Sequence, residues 1–162
     1  ILDLTSKIDC NRIYLIGHSM GNRGLTKALA NMPLDPNGYQ EKIKEVILAA
    51  PDIDAEIFKK DIAPKITQRF DNITLYTAQD DKALYFSKIV NGGERAGGAG
   101  EGVLLIDGIE TIDATGIDTT FLKHSYYGSG LIGDIYQLFN SGKRAKDRPL
   151  LINTKTWWEF RK

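Results

Sequence analysis

Ser19 lies between two glycines, in Gly17-His18-Ser19-Met20-Gly21, directly after the apolar run Arg12-Ile13-Tyr14-Leu15-Ile16. A buried strand, a sharp turn and a helix start in that order form the G-x-S-x-G nucleophile elbow. It holds a serine hydroxyl at the apex of a strained turn at the carboxyl end of a strand. Gly17 and Gly21 are expected to face each other across the turn, where a side chain on either would block the approach of helix to strand. Backbone N–H groups at the helix N-terminus are then available to a developing oxyanion.

A serine nucleophile needs a base, and the base needs an orienting acid. The chain has two histidines, His18 and His124. Strand alternation points the side chains of His18 and Ser19 in opposite directions, so His18 reads as a packing or pocket-wall residue. His124 follows the last predicted core strand and is the expected base. Asp80 and Asp81 follow the third predicted strand, and Asp52 and Asp54 follow the second. Asp81 ranks first, with Asp80 and Asp52 as rivals and Asp54 behind them. Those that are not the acid are expected to be helix caps or surface charges.

The elements that must position these groups alternate. Strands are expected at 12–16, 44–50, 73–78 and 109–112, and helices at 20–32, 82–90 and 130–140. Val46-Ile47-Leu48-Ala49-Ala50 is apolar without alternation, as in a parallel strand covered on both faces. In the first helix Leu25, Ala28, Leu29 and Met32 form an apolar stripe, and Gly24 suggests close packing on the sheet. Pro64 is expected to break the amphipathic segment carrying Ile57, Phe58 and Ile62. The pattern predicts an α/β fold, with a mainly parallel sheet and flanking helices.

The glycine-rich stretch 91–102 lacks the Gly-Lys-Ser/Thr ending of a phosphate-binding loop and reads as a flexible connector. The basic residues of 141–149 read as a solvated loop. Trp157, Trp158 and Phe160 are expected to pack onto the body of the protein.

Composition narrows the function classes. Lys and Arg balance Asp and Glu at 21 each, so no nucleic-acid footprint is visible. No apolar run is long enough to span a membrane. Cys10 is the only cysteine, which excludes an internal disulfide and a cysteine-based zinc cluster.

The stretches Ile16-Gly17-His18-Ser19-Met20-Gly21-Asn22, Ala50-Pro51-Asp52-Ile53-Asp54, Leu75-Tyr76-Thr77-Ala78-Gln79-Asp80-Asp81-Lys82-Ala83-Leu84 and the loop around His124 together resemble the α/β-hydrolase superfamily. Within it they are similar to a group of bacterial α/β-hydrolases of unknown function. The resemblance implies a serine hydrolase of the esterase or lipase kind with no cofactor, acting on a small-molecule ester or acyl substrate. Ser19 would attack, His124 would move the proton, Asp81 would orient His124, and the Met20 N–H would help bind the oxyanion. A catalytically inactive scaffolding or binding protein on the same fold is the alternative, and amide cleavage or acyl transfer would use the same triad.

Members of the superfamily have about four strands and a second oxyanion donor before the elbow, whereas about a dozen residues precede it here. The expectation is therefore one partial domain over 1–162, from the elbow strand onward. The strand at 12–16 would pair with an N-terminal segment or with a second copy.

Overall fold

The protein is described by a computed structural model that covers residues 7, 9–33, 38–98, 103–117 and 130–161. Its sheet has six strands: β1 (Ile13–His18), β2 (Ile43–Ala49), β3 (Ile73–Thr77), β4 (Glu110–Asp113), β5 (Leu151–Asn153) and β6 (Trp158–Phe160). The spatial order is β1-β2-β3-β4-β6-β5. Pairing is parallel from β1 through β4 to β6, and only β5 runs antiparallel, against β6. The expected α/β architecture with a mainly parallel sheet is the one observed.

Both faces of the sheet are covered. Val46, Leu48, Ile73 and Leu75 join a core with Leu29, Phe58 and Ile66 on one face. Ile47, Tyr76 and Ile112 join a second core with Leu131, Ile135 and Leu138 on the other. Adjacent residues of β2 thus enter opposite cores, which is why its sequence is continuously apolar.

Helix α1 (Gly21–Ala30) follows β1, and α4 (Lys82–Asn91) and α5 (Gly130–Ser141) fall where periodicity placed them. Between β2 and β3 lie α2 (Ala55–Ile57), a π turn (Phe58–Ile62) and α3 (Ala63–Thr67). Pro64 does not break this segment. It sits in the first turn of α3, where a missing N–H removes no helical bond.

Other expectations are corrected. The strand expected at 12–16 runs on through His18. In α1 the stripe includes the buried polar residues Asn22 and Thr26, while Ala28 is exposed. Gly24 is exposed, and a Cβ there would meet nothing within 4 Å. The aromatic tail does pack, but as β6, with Phe160 buried.

The basic segment is not simply solvated. Arg144 bridges Glu45 at 2.7 Å and Glu110 at 3.0 Å, and the fully buried Arg148 lies between Glu110 and Asp134 at 3.2 and 3.4 Å. Each buried charge has an opposite partner, as burial of an ionised group demands.

The described part of the glycine-rich stretch is also tied down. The N–H of Ala96 donates to Ile53 O at 2.8 Å, that of Gly97 to Pro51 O at 2.9 Å, and that of Ala78 to Gly97 O at 2.9 Å. A Cβ on Gly97 would collide with the backbone of Ala50 and Pro51. A glycine is required here by close approach of two segments of the chain, not by flexibility.

Candidate active site

Ser19 is the first of the two residues between β1 and α1, with φ 48°. That left-handed conformation costs a non-glycine residue on the order of 1–3 kcal/mol and persists only where the surroundings over-determine it. Several bonds do so. The Ser19 N–H donates to Ala49 O at 3.0 Å, and Ser19 O accepts from the N–H groups of Asn22 at 3.1 Å and Asp52 at 3.2 Å. The Asn22 side chain reaches the same oxygen with Nδ2 at 3.2 Å and reaches Ala49 O at 3.0 Å. Asn22 is fully buried at the first turn of α1.

The two elbow glycines differ. A Cβ on Gly17 would run into the Asn22 side chain and touch Leu25, whereas one on Gly21 would meet nothing within 4 Å. Of the two, only Gly17 is required by close approach, which corrects the symmetric expectation.

His18 is exposed and lines a narrow crevice with Ala49, Ala50, Thr77, Ala78 and Leu131, at the carboxyl ends of the central strands. This agrees with a pocket-wall role. Ala50 also has a left-handed φ, 43°. His124 falls within 118–129, outside the described residues.

The four aspartates have different environments. Asp81 caps α4, accepting on Oδ1 from the N–H groups of Ala83 at 2.9 Å and Leu84 at 3.1 Å. Asp80 is exposed and accepts from the Gly116 N–H at 3.1 Å. Asp54 caps α2 through Glu56 and Ile57, both at 3.0 Å.

Asp52 is 5 % exposed and fully engaged. Its Oδ1 accepts from Ser87 Oγ at 2.6 Å and Arg95 Nε at 2.8 Å, and its Oδ2 from Arg23 Nη2 at 2.8 Å. Burial pushes its carboxyl up, but the bonds from Ser87 and Arg95 and the charges of Arg95 and Arg23 outweigh it and hold the group below its ordinary value. Oδ1 thus accepts two bonds and Oδ2 one. Asn22, Arg23, Ser87 and Arg95 were not identified as site residues from the sequence. For Asn22 alone there was a local signal, an amide in the first turn behind the elbow.

Among the described residues, no group of three or more His, Cys, Asp or Glu side chains could hold a metal ion. No helix there is long and apolar enough to cross a membrane.

The mostly parallel sheet with flanking helices agrees with comparison to known families. No curated protein and no solved structure matches the chain. A family model described as alpha/beta hydrolase of unknown function (DUF900) matches residues 1–136, and the chain belongs to that family.

Proposed function

We propose that the protein is a serine hydrolase that cleaves carboxylic esters through an acyl-enzyme. The observation that carries this reading is Ser19, held at φ 48° by bonds from three elements where β1 meets α1. Residues held in such a conformation cluster at active sites.

In the reaction, Ser19 Oγ attacks the ester carbonyl carbon while His124 takes the hydroxyl proton. The carbonyl oxygen gains the negative charge and lies against the Met20 N–H. Collapse expels the alkoxide, which takes the proton back from His124 and leaves as the alcohol, and the acyl group stays on Ser19. Water, deprotonated by His124, then releases the acid. Asp81 holds His124 in the tautomer that accepts at the nitrogen facing Ser19. Its support as the acid is its place directly after β3, at the N-terminus of α4. Asp80 and Asp52 remain the rivals.

The second oxyanion donor and the neighbour of β1 belong, in this reading, to an N-terminal segment or to a second copy. The open edge of β1, bonded only to β2 among the described residues, supports it.

A fluorophosphonate probe tests the nucleophile. It is expected to label the protein at Ser19, with labelling abolished in Ser19→Ala. Absence of labelling together with binding of small acyl ligands would replace the hydrolase by the scaffold.

A further inference from the structure

The Met20 N–H and the Ser19 carbonyl are two ends of one peptide unit. No peptide bond among the described residues is cis, so the oxygen and the N–H point in opposite directions. Whatever holds Ser19 O therefore aims the Met20 N–H. Three donors converge on that oxygen: Asn22 N–H, Asn22 Nδ2 and Asp52 N–H, at 3.1, 3.2 and 3.2 Å. Among the described residues no acceptor takes the Met20 N–H. Donors on the oxygen also polarise the peptide and strengthen its N–H as a donor.

Two of the three donors belong to Asn22, which is fixed within α1. The third depends on where the loop after β2 holds Asp52. That loop is gripped at several points. Arg23 binds the Asp52 carbonyl through Nε at 2.7 Å as well as its carboxylate. Ser87 reaches Asp52 from α4 and Arg95 from the glycine-rich strap. The strap then bonds the residues on either side, Pro51 and Ile53.

We infer that Asp52 is the positioning residue of the oxyanion donor. Its carboxylate gathers Arg23, Ser87 and Arg95 so that its own N–H locks the Ser19–Met20 peptide with the Met20 N–H facing outward. The inference rests on the hydrolase reading of Ser19 and gives Asp52 a role distinct from that of the triad acid.

The test compares wild type with Asp52→Ala, which removes the clamp, and with Asp52→Asn, which keeps the shape and retains an oxygen for Ser87 and Arg95. Amide hydrogen exchange followed by NMR is expected to show roughly tenfold or greater loss of protection at the Asp52 N–H in Asp52→Ala, with a shifted Met20 amide resonance and a smaller effect in Asp52→Asn. Hydrolysis of p-nitrophenyl acetate, normalised to sites titrated by fluorophosphonate, is expected to show kcat about tenfold to a hundredfold lower in Asp52→Ala with KM within about twofold. A structural role alone would lower the melting temperature and leave kcat per titrated site unchanged. Unchanged Asp52 protection and Met20 shift, or unchanged kcat per titrated site, overturns the inference. Failure of the wild type to label defeats the hydrolase reading instead, and hydrogen exchange still decides whether Asp52 holds the peptide.

Discussion

Tyr76 Oη donates to Asp134 Oδ2 at 2.7 Å, with both side chains buried. Tyr76 belongs to β3, the strand that leads to Asp80 and Asp81, and Asp134 belongs to α5. The bond therefore fastens the helix after 118–129 to the strand that carries the proposed acid. Tyr76→Phe removes the hydrogen bond on Oδ2, so that neither oxygen of the buried Asp134 carboxylate keeps one and only Arg148 faces it at 3.4 Å. Stability is expected to fall by about 1–3 kcal/mol, the cost of an unsatisfied buried acceptor. Urea unfolding measures this, and an unchanged midpoint would show that the bond contributes nothing net.

The same network predicts how stability depends on pH. Burial raises the carboxyls of Glu45 and Asp134, against the opposing charges of Arg144 and Arg148 and bonds from Thr74 and Tyr76. A carboxyl whose folded value is raised binds its proton more tightly in the native state. Its unfavourable contribution near neutrality is relieved as pH falls from the folded value toward the unfolded one near 4. Asp52 has the opposite sign, because its folded value is lowered and its stabilisation is lost as pH falls below about 4. Stability is expected to peak at mildly acidic pH. Urea midpoints between neutrality and pH 3 locate the peak, and Asp134→Asn should flatten its neutral side.

The elbow glycines give a contrast between neighbouring positions. Gly17→Ala drives a methyl group into the Asn22 side chain, which also bonds Ser19 O. Both the melting temperature and the fluorophosphonate labelling rate should fall. Gly21→Ala meets open space at the start of α1, and alanine is favoured over glycine in a helix by up to ~1 kcal/mol. It should be neutral or stabilising in thermal unfolding, with labelling retained.

The contrast also shows what the sequence made legible. The elbow and the four longer strands were readable because a strained turn and a strand covered on both faces impose local residue types, as in Gly17 to Ser19 and Val46 to Ala49. Spacing alone could not distinguish Gly17 from Gly21, since the difference lies in whether Asn22 folds over the position. Three-residue strands such as Leu151–Asn153 and Trp158–Phe160 carry too little pattern to declare themselves. They are fixed by register against β4 and each other. Arg144 and Arg148 read as solvated because their partners lie far away at Glu45, Glu110 and Asp134. Asp52 was ranked as an acid on position, and only the convergence of Arg23, Ser87 and Arg95 shows how its carboxylate is used.

The proposed acid can be tested without disturbing the fold. Asparagine caps a helix about as well as aspartate, so Asp81→Asn should keep α4 and the melting temperature. If Asp81 orients His124, kcat should drop by roughly 10⁴-fold, the size seen when the orienting aspartate of a serine protease becomes an amide. Asp80→Asn retains an oxygen for the Gly116 N–H and should leave kcat within a few-fold. The reverse outcome in ester hydrolysis would transfer the role to Asp80.

The edge of the sheet leads to the last expectation. β1 pairs with β2 along Ile13–His18, and its other edge is open among the described residues. It carries Ile13, Tyr14 and Leu15 half-buried and Ile16 at 45 % exposure. Open apolar edges recruit further strands, and proteins usually block them with charge or cover. β1 has neither charge nor proline between Ile13 and Ile16. The 162-residue chain should therefore self-associate in a concentration-dependent way, seen by analytical ultracentrifugation. Ile16→Lys should weaken that association by placing a charge on the edge. Supplying a neighbouring strand as an N-terminal extension should remove self-association and, if it brings a second oxyanion donor, raise kcat by roughly 10²–10³-fold. A chain that remains monomeric at all concentrations with the edge open would overturn the pairing expectation for β1.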